Sequence, residues 1–120
     1  MNRTYQIAIS IYLFSIAGTG LACEYPQRIS VPNGEATSEQ DLLTAQKDVK
    51  TFISTMEVYL ECIVEEEKLA RLAIEDLAPE VEQQREEMLN KKYNAAWEEE
   101  KKVEAEWNAA VQAYKARSAD

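Results

Sequence analysis

Residues 39–79 read EQDLLTAQKDVKTFISTMEVYLECIVEEEKLARLAIEDLAP, and this stretch decides the fold. Its apolar side chains step by three and four: Leu42, Ala45, Val49, Phe52, Met56, Tyr59 and Ile63, then Glu66, Ala70, Ala73 and Leu77. Glu66 alone breaks the series. Alternating steps of three and four hold side chains on one face of a helix, and a 3.5-residue repeat sustained this long predicts a coiled-coil-like helix. Ile53, Leu60 and Ile74 widen the stripe.

Both ends of the stretch carry boundary chemistry. Thr37 and Ser38 can each cap a helix start, and Thr37 has Gln40 three residues on, the spacing of a capping box. Glu39 and Asp41 put negative charge in the first turn, where the helix dipole favours it. At the other end Pro79 cannot donate a backbone hydrogen bond and biases Ala78 towards extended backbone, while suiting the first position of a new helix. The expected second helix has a sparser seam: Leu89, Tyr93, Ala96, Glu100, Val103, Trp107, Ala110 and Tyr114. Glu67/Arg71, Glu87/Lys91 and Glu98/Lys102 have the favourable i,i+4 order for helix ion pairs.

The expected fold class is therefore all-α, with helices at about 39–77 and 79–117. Equal lengths either side of a proline suit a long antiparallel two-helix hairpin, which lets each amphipathic helix bury its stripe. One long kinked helix is the rival topology.

Residues 23–37 read differently. They hold Pro26, Pro32 and Gly34, and Pro32-Asn33-Gly34 is turn chemistry in which Gly can take positive φ. This is an extended N-terminal arm rather than a helix.

Residues 1–22 read as an address. Arg3 is followed by an uncharged run whose apolar part, Ile7 to Ala17, ends in Gly18, Gly20 and Ala22. A charged start, an apolar centre and a small-residue exit describe a secretory signal peptide, cleaved here after Ala22. An uncleaved anchor is the alternative, but spanning takes ~20 apolar residues. Lipidation of Cys23 is a third reading: Ala22 is suitably small, whereas Leu21 and Gly20 depart from the usual lipoprotein order. No stable membrane span is expected after cleavage, and the location is periplasmic or secreted.

Composition excludes several function classes. The chain has 120 residues, 13 basic and 22 acidic side chains, no histidine and two cysteines. The acid excess argues against nucleic-acid binding, which rests on Lys and Arg neutralising phosphate. Without histidine there is no Ser-His-Asp or Cys-His arrangement and no imidazole ligand. Export to an oxidising compartment favours pairing Cys23 with Cys62. Their separation of 39 positions suits a structural staple rather than a redox couple. The arm is long enough to run back along the first helix to mid-length.

Cys23, Pro26, Pro32, Gly34, Ala36, Thr37, Ala45, Gln46, Val49 and Cys62 together resemble a group of small, uncharacterised secreted proteins of proteobacteria. Their mature part begins with Cys, then Pro, then a Pro-x-Gly turn, then a capped helix with a second Cys. The resemblance covers roughly residues 23–65, and Asn33 departs from it where an acidic residue often precedes the glycine. It implies a periplasmic location and a cysteine pair, and carries no activity.

The remaining candidates are few. Glu65-Glu66-Glu67 and Glu98-Glu99-Glu100 suggest cation binding, but consecutive helical residues diverge by ~100°, whereas a Ca²⁺ site needs convergent oxygens. They read as solvated faces, except that Glu66 and Glu100 fall on the seam. There they mark a polar end or a contact to Lys or Arg across it. Tyr93, Trp107 and Tyr114 read as core. Trp97, one step off the seam, is the candidate partner contact. No catalytic residue, metal or cofactor is expected. The expected function is a non-catalytic periplasmic interaction or structural protein, acting through a protein partner or self-association. A holdase-like chaperone is the alternative, and an envelope lipoprotein anchored through Cys23 a weaker one.

Overall fold

The computed structural model describes residues 23–119. The signal peptide, its cleavage after Ala22 and the anchor reading fall on residues 1–22, outside the described residues. Among the described residues the chain forms two helices and no strand, α1 (Glu39–Leu72) and α2 (Pro79–Ser118), with an extended arm before them. The helices pack against each other as an antiparallel hairpin. At 34 and 40 residues they are ~51 and ~60 Å long.

Pro79 opens α2, and Ala78 before it is extended, with φ −65° and ψ 140°. The first helix, however, ends five residues before the expected limit of 77. After Leu72 the chain tightens, with the Ile74 N–H donating to Arg71 O at 3.2 Å, and Asp76 takes the left-handed region at φ 53°. Reversing direction needs several non-helical residues, and residues 73–78 supply them. The apolar spacing that runs on through Ile74 and Leu77 records side-chain position, not backbone conformation.

At the start of α1 the cap is Ser38, whose Oγ accepts from the Asp41 N–H at 3.1 Å. Thr37, the other candidate cap, is buried where the arm turns beneath the helix.

The core is one cluster: Val49, Phe52, Met56, Leu60 and Ile63 from α1 with Ala96 and Val103 from α2. Met56 and Val103 are fully buried. Full burial of an aliphatic side chain stabilises by roughly 1.5–3 kcal/mol. Leu60 is buried in place of Tyr59. A straight helix turns every 3.6 residues, so it drifts by ~20° per heptad from a 3.5 repeat. Tyr59 therefore rotates towards the arm, where its ring meets Tyr25 edge-on at 5.0 Å between centroids.

The arm forms a third layer along one side of the hairpin. A disulfide joins Cys23 to Cys62, with Cα atoms 5.7 Å apart. From that staple the arm runs antiparallel to α1, and Cys23, Ile29 and Val31 pack on the core. Arg28 bridges Glu99 and Glu106 of α2. Asn33 organises the turn: its Oδ1 accepts from the Glu35 N–H at 3.0 Å, and its carbonyl accepts from Ala36 and Thr37. Gly34 does not use positive φ here. It is glycine because a Cβ would lie 2.0 Å from the Ala110 carbonyl oxygen. Arg117, near the end of α2, closes the layer by donating to Glu35 O at 2.8 Å and Thr37 O at 2.6 Å.

Candidate interaction surface

The arm begins at the level of Cys62, so the hairpin has a covered proximal part near the chain ends and a bare distal part near the 73–78 turn. Beyond Ile63 on α1, and before Ala96 on α2, no described residue is buried. Polar contacts hold this part together instead. The Arg85 guanidinium donates to both oxygens of Glu67, at 2.8 and 3.2 Å. Arg71 donates to Glu67 at 3.2 Å and lies 3.9 Å from Glu82. Burial pushes the Glu67 carboxyl up, but hydrogen bonds from Arg85 and Arg71 outweigh it and hold the carboxyl below the usual range.

Of the three i,i+4 pairs expected from sequence, Glu67/Arg71 forms. Glu87/Lys91 and Glu98/Lys102 are not among the ion pairs of the described residues, and Glu87 accepts from Gln83 at 3.1 Å. The cation contact expected of Glu66 is made by Glu67. The 3.6-residue turn carries position 67 into the interface and leaves Glu66 exposed. The other seam glutamate, Glu100, is buried, at 6% exposure, and makes no hydrogen bond or ion pair among the described residues. Its carboxyl is pushed up, foremost by burial. Lys101 opposes the shift, while Glu104 and Glu57 add to it.

Large apolar side chains stand in solvent on the distal part: Val64, Leu69, Leu72, Met88 and Tyr93, with Trp97 just past Ala96. Single exposed apolar residues are ordinary, but a concentration of them beside a bare helix pair marks an interaction surface. Trp97 is 48% exposed, with the Lys101 ammonium 5.6 Å from its ring centroid. Tyr93, expected in the core, is 38% exposed and lines an open trough beside the buried Leu60. Trp107 packs against the core and Tyr114 is half-buried, with the Arg117 guanidinium 5.0 Å from its ring centroid.

Two concavities lie where the core gives way to the distal part. On the arm's side, beyond Cys23, a cavity of about 150 Å³ lies between Ile63, Glu67, Arg85 and Leu89. On the other side an open trough of about 450 Å³ is lined by Glu57, Leu60, Glu61, Val64, Glu65 and Tyr93. Among the described residues no group of three or more Cys, Asp or Glu is placed to hold a metal ion, and no helix is long and apolar enough to cross a membrane. Pairing with Cys62 leaves no free thiol among the described residues. No family model matches the chain, and comparison with curated proteins and with solved structures finds no match.

Proposed function

We propose that the chain is an exported, non-catalytic interaction protein that presents the distal part of its hairpin to a protein partner. One observation carries this reading: most of the large apolar side chains left in solvent, among them Val64, Leu69, Leu72, Ile74, Val81 and Met88, lie where the arm does not reach, against Tyr25, Leu43 and Val58 on the covered part. The arm, staple and core make the proximal part a rigid mount. A rigid mount lowers the ordering cost of binding. The disulfide supports an oxidising compartment, and hence export with the mature chain beginning at Cys23. A lipid thioether on Cys23 would use the same sulfur, so lipoprotein and stapled forms exclude each other. The resemblance to small secreted proteobacterial proteins agrees with a periplasmic location.

Photo-crosslinking in living cells tests the reading. Crosslinkers placed at Leu72 and Met88 should yield one discrete adduct, while Val58, exposed on the outer face beside the covered core, should yield none. Equal labelling from all three positions, or no adduct from any, overturns it. A holdase-like chaperone is the second reading, favoured by the same exposed side chains. It predicts many adducts and suppressed aggregation of unrelated unfolded clients. Intact mass from the native envelope checks export: the expected species begins at Cys23 and carries no alkylatable thiol. Retention of residues 1–22, or an added diacylglycerol mass, refutes it.

A further inference from the structure

The trough on the side away from the arm differs in charge from the rest of the bare surface. Its floor is Leu60, Val64 and Tyr93, and its rim is Glu57, Glu61 and Glu65. These three carboxylates make no ion pair among the described residues. On α2, Trp97 lies one turn beyond Tyr93 and so extends the apolar floor along the same face. Glu100 lies one turn further. It is largely buried, forms no ion pair among the described residues, and is close enough to Lys101, Glu104 and Glu57 for their charges to act on it. Glu104 and Glu57 both add negative charge around it and Lys101 alone opposes them, so this end of the trough is net negative and favours a cation brought by a ligand. Lys101 offsets this charge only in part, since it is shared among Glu100, Glu57 and Glu104, and Glu104 holds its ammonium at 2.9 Å beside the Trp97 ring.

The spacing narrows the occupant. Glu57, Glu61 and Glu65 stand at i, i+4 and i+8, so they rise in steps of ~6 Å. A second helix with Lys or Arg at the same spacing rises in the same steps and matches the rim charge for charge. Apolar residues beside its cations would then lie on Leu60, Val64 and Tyr93, the helix-in-groove mode of recognition. A second copy of this chain fits poorly, because the chain carries a net charge of −9 and the rim is acidic.

We infer that this trough docks a cationic amphipathic helix of a partner protein, with Lys or Arg at i, i+4, i+8 opposite Glu57, Glu61 and Glu65. The inference rests on the reading of the chain as an interaction protein and names the partner's chemistry.

The test titrates three synthetic peptides of about 18 residues, or five turns, into the disulfide-bonded chain from Cys23 onward. One is an amphipathic Leu/Lys helix, one its Leu/Glu counterpart, and one a shuffled Leu/Lys sequence without an apolar face. The Leu/Lys helix should bind at one site and shift backbone amide resonances at residues 57–65 and 93–104. The variant carrying Glu57→Gln, Glu61→Gln and Glu65→Gln should bind about tenfold or more weakly, as should the parent when salt is raised from about 50 to about 500 mM. These are exposed helix positions, so the variant should keep its fold, and its circular dichroism checks that. Equal binding of parent and variant, equal binding of the shuffled or acidic peptide, or shifts confined to other residues overturns the inference. So does a concentration-dependent dimer in light scattering that buries Trp97. Crosslinkers at positions 64 and 93 separate the two levels of the argument. Adducts from Leu72 but not from 64 or 93 would leave the interaction reading standing and remove this trough from it.

Discussion

The same two helices make both parts of the hairpin, yet the parts are held by different physics. In the proximal part, Val49, Phe52, Met56 and Val103 are buried under an arm that adds Ile29 and Val31. In the distal part nothing described is buried, and Glu67, Arg71, Arg85 and Glu82 form a partly exposed ion-pair cluster. Such pairs contribute little, typically under ~1 kcal/mol each, whereas each buried aliphatic side chain contributes more. Two helices alone make a thin core, and a short chain usually needs a staple. Here the staple and the arm serve one part only. The other keeps its apolar side chains available.

The sharpest way to break this comparison is truncation. Phe52→Ala should destabilise by about 3–4 kcal/mol, since its side chain is buried under the arm. Leu69→Ala, on the bare part, should stay within about 0.5 kcal/mol. Chemical denaturation of both variants measures the contrast, and equal losses would show that the two parts are stabilised alike.

Removing the staple comes next. Replacing both Cys23 and Cys62 by Ser should cost about 3–4 kcal/mol, from the loop entropy of a 39-residue separation. Far-UV circular dichroism should stay near the parent value while the arm becomes protease-sensitive. Complete loss of helix would mean that the staple organises the whole hairpin.

Gly34→Ala tests the far end of the arm. Its Cβ would meet the Ala110 carbonyl oxygen at 2.0 Å, and neither is a flexible side-chain end, so backbone must shift. A loss of about 1–3 kcal/mol is expected, with proteolysis rising first at residues 31–37. An unchanged melting curve would show that the arm and α2 are not held this close.

The smallest effect is electrostatic. Burial raises the Glu100 carboxyl, with Lys101 opposing and Glu104 and Glu57 reinforcing. The folded state therefore holds this proton more tightly than the unfolded chain, and stability falls as pH rises from the unfolded value towards the folded one. Glu100→Gln should stabilise at pH 7 by up to about 1 kcal/mol, and the gain should vanish below about pH 4. Destabilisation at pH 7 would show that the attraction of Lys101 outweighs the burial cost.

Much of this was legible in the sequence. The spacing from Leu42 to Ile63 requires a helix with one stripe whatever surrounds it, because the period follows from backbone geometry. Pro79 ends one helix and starts another for local reasons, and Cys23 with Cys62 leaves one pairing among the described residues. The arm's Pro26 and Pro32 keep it out of helix, and Trp97 is as exposed as its position off the seam suggests.

Other features came only with tertiary structure. Whether Tyr59 or Leu60, Glu66 or Glu67, faces the other helix depends on how closely the helices keep a 3.6-residue turn, which a heptad reading does not resolve. Gly34 reads as turn chemistry, but its requirement comes from Ala110, 76 positions away, and no local rule connects the two. Tyr93 and Trp107 occupy equivalent seam positions. One lies exposed beside Leu60 and one packs on the core, a difference that the period alone does not carry. The arm's choice of one side of the hairpin, which leaves the acidic trough open on the other, is a non-local packing decision. Periodicity specifies which face of each helix is apolar. Only the assembled fold decides which parts of those faces find cover.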